Sequence, residues 1–215
     1  MIHAGRVAVN GRVTENPDQW VTLGRDRVTL DGRPLAAEKR LYLLLYKPPG
    51  YLTTRADPEG RPTVYDLIRD DPGLPWVSPV GRLDLDTSGL LILTNDTQLG
   101  ERLTNPRYKV PKTYLAKTAT LVDEGALETL RGGVELSDGV TETAEVRRLR
   151  DSARRSWLEI TITEGRNRQV RRMIEAIGSR VLKLVRTRIG GIGIGDLAIG
   201  RYRHLSAAEV ARLLG

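Results

Sequence analysis

An arginine and two aspartates, Arg82, Asp84 and Asp86, come directly before a short apolar run at residues 90–94. An apolar run of this length is typical of a strand that is buried on both faces. The acids would then lie on a polar turn held by a rigid strand, where catalytic groups are often found. A carboxylate there can act as a nucleophile or in acid–base catalysis, but Asp is also common in turns for backbone reasons. The local pattern leaves both interpretations open.

The scarcity of Cys and His narrows the chemistry that the chain can perform. The 215 residues include no Cys and two His, His3 and His204, near opposite ends. This composition excludes disulfides, thiolate metal sites and Cys nucleophiles, and it disfavours His-based triads and His-rich metal sites. We therefore expect no metal.

The length is sufficient for one domain with a sizeable core and a small appendage.

The distribution of charge favours an anionic partner. The chain has 34 Lys and Arg against 27 Asp and Glu, a formal net charge of +7. Residues 147–172 contain nine Arg and only three acids, which favours bidentate contacts with nucleic-acid phosphates. A solvated basic face that only aids solubility is the alternative.

Since no apolar run is long enough to cross a bilayer, we expect a cytoplasmic protein with no membrane partner.

Sequence periodicity predicts an α+β fold with a largely antiparallel mixed sheet flanked by helices. Asn-Gly and Asp-Gly pairs predict two hairpins within residues 1–36, a unit with too little apolar content for its own core. A polar break over residues 36–40 precedes the main domain, residues 41–215. Strands are predicted there over residues 41–46, 90–94, 112–117, 157–163 and 180–189, and helices over residues 63–69 and after Asp96, Asp123, Asn167 and Ser206.

The helix predicted after Asn167 carries Arg168, Arg171 and Arg172 on the face opposite its apolar residues. Arginines around a helix N-terminus favour binding of a phosphate or a carboxylate. We expect these three side chains to contact RNA phosphates. The glycine-rich residues 190–195 lack the following Lys-Ser or Lys-Thr of a P-loop, which disfavours a nucleotide-binding loop there.

Three segments occur in the order and spacing of the ribosomal RNA pseudouridine synthases. They are VGRLDLDTSGLLILTND at residues 80–96, KTYLAK at residues 112–117 and EGRNRQVRRM at residues 164–173. YKPPG, DPEGRPTV and RIGG also match, so the resemblance extends over residues 41–206. Within this family the chain is most similar to the group of large-subunit synthase B and small-subunit synthase A.

The resemblance implies the pseudouridine synthase fold and a set of site residues. Asp84 matches the catalytic aspartate of the GRLD motif, and Arg82 matches the arginine of that motif. Tyr114 matches the tyrosine that stacks on the target base, and Val170 an aliphatic residue of the pocket wall. Arg166 matches the basic residue that pairs with the aspartate. The resemblance implies no role for Asp86, the second aspartate of the turn.

The implied activity is isomerisation of a specific rRNA uridine to pseudouridine, with large-subunit rRNA favoured over small-subunit rRNA. The reaction cleaves the N-glycosidic bond, turns the uracil and joins C5 to C1′. Because there is no redox change and no net hydrolysis, no cofactor is expected. The expected partner is rRNA or a pre-ribosomal subunit, and the protein is expected to be a monomer.

Two other functions fit the same residues. A glycoside hydrolase would use Asp84 and Asp86 as its carboxylate pair, although acids two residues apart are poorly placed to act on opposite sides of a bond. A non-catalytic RNA-binding or ribosome assembly factor would bind RNA without isomerising it, with an affinity that falls steeply with salt.

The N-terminal segment IHAGRVAVNGRV resembles only the later, β-hairpin part of an S4-type RNA-binding domain. Residues 1–36 are therefore expected to form a partial S4-like β unit.

Overall fold

The computed structural model describes residues 1–22, 24–35, 39–69, 71 and 73–215. The chain divides into two compact units, Met1–Lys39 and Arg40–Gly215. The polar break predicted over residues 36–40 lies partly outside the described residues.

The first unit contains a four-stranded antiparallel sheet in the order β2-β1-β3-β4. Its strands are β1 (Val7–Val9), β2 (Arg12–Thr14), β3 (Val28–Leu30) and β4 (Arg33–Pro34), and a 3₁₀ helix at Ile2–Ala4 precedes them. Asn10 and Gly11 have φ of 51° and 81°, and this left-handed pair is the conformation that a tight two-residue hairpin requires. Both hairpins predicted in this segment are confirmed.

The second unit contains the remaining strands and all four α-helices of the described residues. The strands are β5 (Tyr42–Lys47), β6 (Ser78–Pro79), β7 (Thr87–Thr94), β8 (Lys112–Thr118), β9 (Glu135–Leu136), β10 (Gly139–Val140), β11 (Glu145–Ser152), β12 (Arg155–Ile162), β13 (Val181–Ile189), β14 (Ile192–Gly193) and β15 (Tyr202–His204). The helices are α1 (Thr97–Thr104), α2 (Glu124–Gly132), α3 (Gln169–Ala176) and α4 (Ala207–Leu214), with 3₁₀ helices at Val64–Leu67 and Pro106–Tyr108.

A nine-stranded sheet forms the centre of this unit within the described residues. Its main order is β11-β12-β8-β13-β7-β5-β15, with β14 paired to β13 and β6 paired to β7. Among these strand pairs, β7 and β13 run parallel and the others antiparallel. The predicted α+β class, with a largely antiparallel mixed sheet flanked by helices, is confirmed.

Strand β7 lies at the middle of the core, and all eight of its residues are buried. Successive side chains of a strand point to opposite faces. Leu91 and Leu93 accordingly join one apolar cluster with residues of α2 and α3, while Leu90 and Ile92 join another with residues of α1 and α4. Because helices cover both faces, the strand is apolar without alternation, as the sequence predicted.

The predicted helix caps are confirmed by their hydrogen bonds. The Asp96 carboxylate accepts from two backbone N–H groups at the start of α1, and Asp123 accepts one at the start of α2. Ser206 and Glu209 form a reciprocal capping box at α4. The helix expected over residues 63–69 is a short 3₁₀ turn at Val64–Leu67.

Strand β11 was missing from the sequence prediction. Its residues are mostly exposed and include three arginines, so the charge pattern masked the alternation that would reveal a strand. Val146 is its one buried residue among those described. The strand pairs with β12 along its whole length, which places part of the basic cluster at the edge of the sheet.

Gly89 permits the close parallel approach of β7 to β13. Its φ is +121°, and a Cβ there would lie 2.2 Å from the Arg186 carbonyl oxygen. Real Cβ atoms do not approach backbone oxygen this closely, and L-residues rarely adopt such a φ. Only glycine therefore fits at this crossing.

We predict that Gly89→Ala lowers the free energy of unfolding by about 3 kcal/mol or more, because the added methyl group forces the two strands apart. Urea denaturation measures the change. Gly100→Ala is the matched control, since its Cβ would meet nothing within 4 Å and alanine in a helix is favoured by about 0.5–1 kcal/mol. A Gly89→Ala protein as stable as the wild type would contradict the close approach.

Candidate active site

The turn that carries Asp84 is fixed by a buried lysine. Lys47, at the end of β5, has no solvent exposure. Its ammonium group donates hydrogen bonds to the carbonyl oxygens of Pro48, Asp84 and Thr87 at 3.1, 3.0 and 2.8 Å. An ammonium has three donors, so all of them are used. Through the Asp84 and Thr87 carbonyls, the Lys47 side chain thus ties both ends of the turn to β5.

The electrostatic state of Lys47 reflects this burial. Burial lowers the pKa of Lys47 to about 8, and the carboxylates of Asp84 and Asp86 oppose the shift by favouring the charged form. The nearby Arg186 guanidinium lowers the pKa further. Loss of the proton would remove a donor from one of the three carbonyl contacts.

Arg168 is the cation that faces the Asp84 carboxylate. Its Nη1 lies 3.7 Å from Oδ2 of Asp84 and 3.4 Å from Oδ1 of Asp86. Arg168 is the N-cap of α3 and adopts a left-handed conformation, φ 48° and ψ 31°, which is uncommon for a residue other than glycine. The Asp84 side chain is 32% exposed, so it is ion-paired and still open to a ligand.

Asp86 has a supporting position in this arrangement. Arg171 is buried, and its Nη2 lies 3.1 Å from Oδ1 of Asp86. The same nitrogen donates to the Asp86 carbonyl and to Oγ1 of Thr87, each at 3.1 Å. These contacts anchor the turn to α3. Asp86 therefore neutralises two arginines beside the exposed carboxylate.

The expectation that Arg166 pairs with Asp84 is wrong for this structure. Arg166 pairs with Glu164, with 3.0 Å between Nε and Oε2, and donates to the carbonyls of Gly139 and Val140 at 2.8 and 2.7 Å. It precedes α3 and holds the β9–β10 hairpin. The guanidinium that faces the aspartates is instead that of Arg168, two residues later, where the backbone is left-handed.

Two of the three arginines expected to face RNA phosphates have partners within the protein. Arg171 is buried against Asp86, and Arg172 forms a bidentate pair with Asp138 at 2.8 and 2.9 Å. Sequence periodicity placed both on a solvated face of α3. The helix instead packs against the turn that carries Asp84 and the β9–β10 hairpin, and each supplies a carboxylate.

Asp84 opens into a cleft of about 320 Å³, within the size range of small-molecule sites. The structure brings all five residues expected at the site into the lining of this cleft: Arg82, Asp84, Tyr114, Arg166 and Val170. Tyr114, on β8, is 9% exposed and Val170, on α3, is 3% exposed. Arg82 is exposed at the surface of the cleft.

Sequence reasoning missed two cations in the lining, Lys112 and Arg186. Arg186, on β13, is 3% exposed, and its Nε donates to the Leu90 carbonyl at 2.8 Å. Burial and the neighbouring Arg186 lower the pKa of Lys112. Lys112 lies two residues before Tyr114 on β8, so strand alternation could have placed it on the same face. Arg186 belongs to a strand with three basic residues, and its sequence did not indicate which of them faces inward.

Within the described part of the chain, no group of three or more His, Cys, Asp and Glu side chains is arranged to hold a metal ion. The described residues also include no helix that is long and apolar enough to cross a membrane.

We predict a pH signature for Lys47. Between about pH 8 and 10.5 the unfolded chain binds more protons at this lysine than the folded protein does. The free energy of unfolding of the wild type should therefore rise with pH relative to that of Lys47→Met across this window. Urea denaturation of both proteins at several pH values measures the difference. A constant or falling difference would contradict the burial of a charged lysine beneath the turn.

Comparison with known proteins identifies the family. A family model described as RNA pseudouridylate synthase matches residues 41–176. The chain is 42% identical to an "Uncharacterized RNA pseudouridine synthase" of Aquifex aeolicus, over 99% of this chain and 85% of that protein. It is 40% identical to the "Ribosomal large subunit pseudouridine synthase B" of Bacillus subtilis, over 99% of this chain and 87% of that protein.

Solved structures agree with the sequence comparisons. A "Crystal structure of pseudouridylate synthase" superposes with a TM-score of 0.76 and 31% identity, covering 99% of this chain and 90% of the other. An H/ACA RNP bound to a substrate RNA containing 2′-deoxyuridine shares the fold alone, with a TM-score of 0.57 and 19% identity over 71% of this chain and 48% of the other. The resemblance seen in the three sequence motifs is thus confirmed, and the chain belongs to the RNA pseudouridine synthase family of isomerases.

Proposed function

We propose that this enzyme converts a specific uridine of large-subunit ribosomal RNA to pseudouridine, with Asp84 as the essential carboxylate. The observation that carries this proposal is the position of Asp84. Its carboxylate is ion-paired to Arg168 at 3.7 Å, remains 32% exposed and lines the same cleft as Tyr114. A carboxylate positioned by a cation can attack an electrophilic carbon or assist departure of the uracil.

The turn gives Asp84 the rigidity that such a role needs. Lys47 holds the Asp84 carbonyl, while Arg171 holds the Asp86 carbonyl and the Thr87 hydroxyl. A reacting group is most effective when its supporting contacts are fixed before the substrate binds. The contacts to the backbone leave the Asp84 carboxylate free for the ribose or the base.

The neighbouring residues account for binding of a uracil ring turned out of the RNA. Tyr114 would stack on the ring, a contact worth about 1–3 kcal/mol in single-stranded nucleic-acid binders, and Val170 would close the apolar wall of the pocket. Arg82 is exposed and can contact the RNA backbone near the target. Arg166 would act indirectly, by holding the hairpin at the edge of the cleft through the contacts to Gly139 and Val140.

Support for large-subunit rRNA as the substrate comes from relatives. Proteins of Bacillus subtilis and Salmonella typhimurium named as ribosomal large subunit pseudouridine synthase B are 40% and 37% identical to this chain. The net charge of +7 suits a polyanionic partner. Small-subunit rRNA is the alternative target.

The same proposal includes the setting of the enzyme. It acts as a monomer in the cytoplasm, on rRNA or a pre-ribosomal subunit, and without a cofactor, since the isomerisation needs no redox partner. Residues 1–36 would serve as a partial S4-like unit that contacts RNA. The exposed Trp20, at 97%, and five arginines in the segment fit such a role.

The test is to map pseudouridines in both rRNAs of the source organism with and without the gene. We predict that one large-subunit pseudouridine disappears, that wild-type protein restores it, and that Asp84→Asn does not. Asp151→Asn is the matched control, because this exposed aspartate lies in the β11–β12 hairpin outside the cleft, and it should restore the modification fully.

Each other outcome overturns a defined part of the proposal. Loss of a small-subunit pseudouridine would replace the substrate and leave the site intact. Restoration by Asp84→Asn would remove Asp84 from catalysis. Unchanged maps of both rRNAs would contradict rRNA as the substrate.

A further inference from the structure

Arg186 is a buried cation in the cleft with no carboxylate partner. It is 3% exposed, and no ion pair of the described residues includes it. Its Nε donates to the Leu90 carbonyl at 2.8 Å, but its Nη2 is buried without a hydrogen-bond partner. Arg cannot lose its proton at ordinary pH. The protein itself therefore compensates the cost of burying this charge only in part, through the Leu90 carbonyl.

Two lysines near Arg186 add to the positive charge on this side of the cleft. The guanidinium lowers the pKa of both Lys47 and Lys112, which places three positive groups near each other. Lys47 has three carbonyl contacts and two nearby carboxylates. Lys112 has one carbonyl contact, to Val110 at 3.3 Å. The Arg186 side of the cleft is therefore short of negative charge.

The strand register places Arg186 beside the proposed stacking residue. Arg186 on β13 is the register partner of Tyr114 on β8, and side chains of directly paired residues lie on the same face of a sheet. Both line the cleft that contains Asp84. A uracil stacked on Tyr114 would thus have its edge within reach of a planar cation with unused N–H donors.

We propose that Arg186 binds a carbonyl oxygen of the target uracil and stabilises the negative charge that this ring acquires as the N-glycosidic bond breaks. This assignment rests on the proposed catalytic site of Asp84. It makes Arg186 a catalytic residue in the sense that it touches the reacting base. Preorganised cations and donors at a site of developing charge commonly contribute about 10²–10³ in rate.

The chemistry balances without a further reactant. The C1′–N1 bond breaks and its electron pair passes to the uracil, where the charge is shared with the ring carbonyl oxygens. After the ring has turned, the C5–C1′ bond forms, the proton on C5 is lost to a base, and N1 gains a proton. Attack at the sugar, attack at the base and elimination all place negative charge on the uracil carbonyls. Arg186 would therefore assist each of these routes.

A phosphate of the RNA backbone is a less suitable ligand for Arg186. Phosphates of bound RNA lie toward solvent and are contacted mainly by exposed side chains, whereas this guanidinium is 3% exposed and faces the side of the sheet that carries Tyr114. A phosphate contact would change the affinity and its salt dependence. A contact to the departing uracil would change the rate at saturating enzyme.

The experiment measures single-turnover isomerisation and RNA affinity for wild type, Arg186→Ala, Arg186→Lys, Arg188→Ala and Asp84→Asn, on an unmodified large-subunit rRNA transcript. We expect Arg186→Ala to slow the reaction by about 10²–10³ and to leave the affinity within about threefold. Arg186→Lys, which keeps the charge but not the planar fork, should lose about tenfold. Arg188→Ala, an exposed arginine of the same strand, should react like the wild type.

Rescue separates a catalytic role from a structural one. Methylguanidinium added to Arg186→Ala should restore part of the rate with saturation, while tetramethylammonium at the same ionic strength should not. If Arg186→Ala does not fold, the rate of Arg186→Lys decides, and a rate equal to the wild type would overturn the proposal. Lost affinity with a reduced salt slope at unchanged rate would also overturn it, in favour of a phosphate contact.

The Asp84→Asn arm keeps the two proposals distinguishable. If the wild type forms pseudouridine, Asp84→Asn does not and Arg186→Ala reacts normally, only the assignment of Arg186 fails. If the wild type forms no product, or Asp84→Asn reacts normally, the proposed function of the cleft fails.

Discussion

The structure of the cleft depends on one buried ammonium group. Lys47, at the end of β5, donates to the carbonyl oxygens of Asp84 and Thr87 at the two ends of the turn before β7. A charged group in a protein interior is costly unless it is well solvated by fixed dipoles. Here those dipoles are the backbone carbonyls of Asp84 and Thr87, at the two ends of the turn, and that of Pro48, which follows β5. The stability of the turn and the position of the carboxylate thus have the same physical origin.

The second constraint is the parallel contact of β7 with β13. This contact places β13, and with it Arg186, directly beside the strand that follows the aspartate turn. The opposite edge of β13 pairs with β8 and brings Tyr114 to the same cleft. A single glycine, Gly89, provides the space that the crossing requires. Residues almost a hundred positions apart in the chain therefore share one small site.

The fold class could be predicted because it follows from local patterns, and five residues of the cleft lining could be named because they lie in motifs of a known family. The apolar run of β7, the caps at Asp96 and Ser206 and the hairpin glycines are each determined by nearby residues. The cleft residues Asp84, Tyr114 and Val170 could be found through motifs. Their roles in the reaction remain proposals.

The ion pairs could not be predicted, since they depend on three-dimensional neighbours rather than on spacing. In an arginine-rich segment, the left-handed backbone of Arg168 decides which guanidinium reaches Asp84, and nothing in the residue type signals that conformation. The burial of Arg171 and Arg186 also depends on residues that are distant in the sequence. Both arginines occur in charged stretches, which usually indicate solvent-exposed side chains. The packing of α3 and β13 buries them instead.

We infer that the Asp84 carboxylate, held on its fixed turn, carries out the isomerisation. The most direct measurement is the nucleoside composition of an unmodified large-subunit rRNA transcript after incubation with excess purified enzyme. We predict that the wild type forms pseudouridine without free uracil, and that Asp84→Asn binds the RNA as well but reacts at least about 10³-fold more slowly. Pseudouridine formation by Asp84→Asn at the wild-type rate, or release of free uracil by the wild type, would contradict the account.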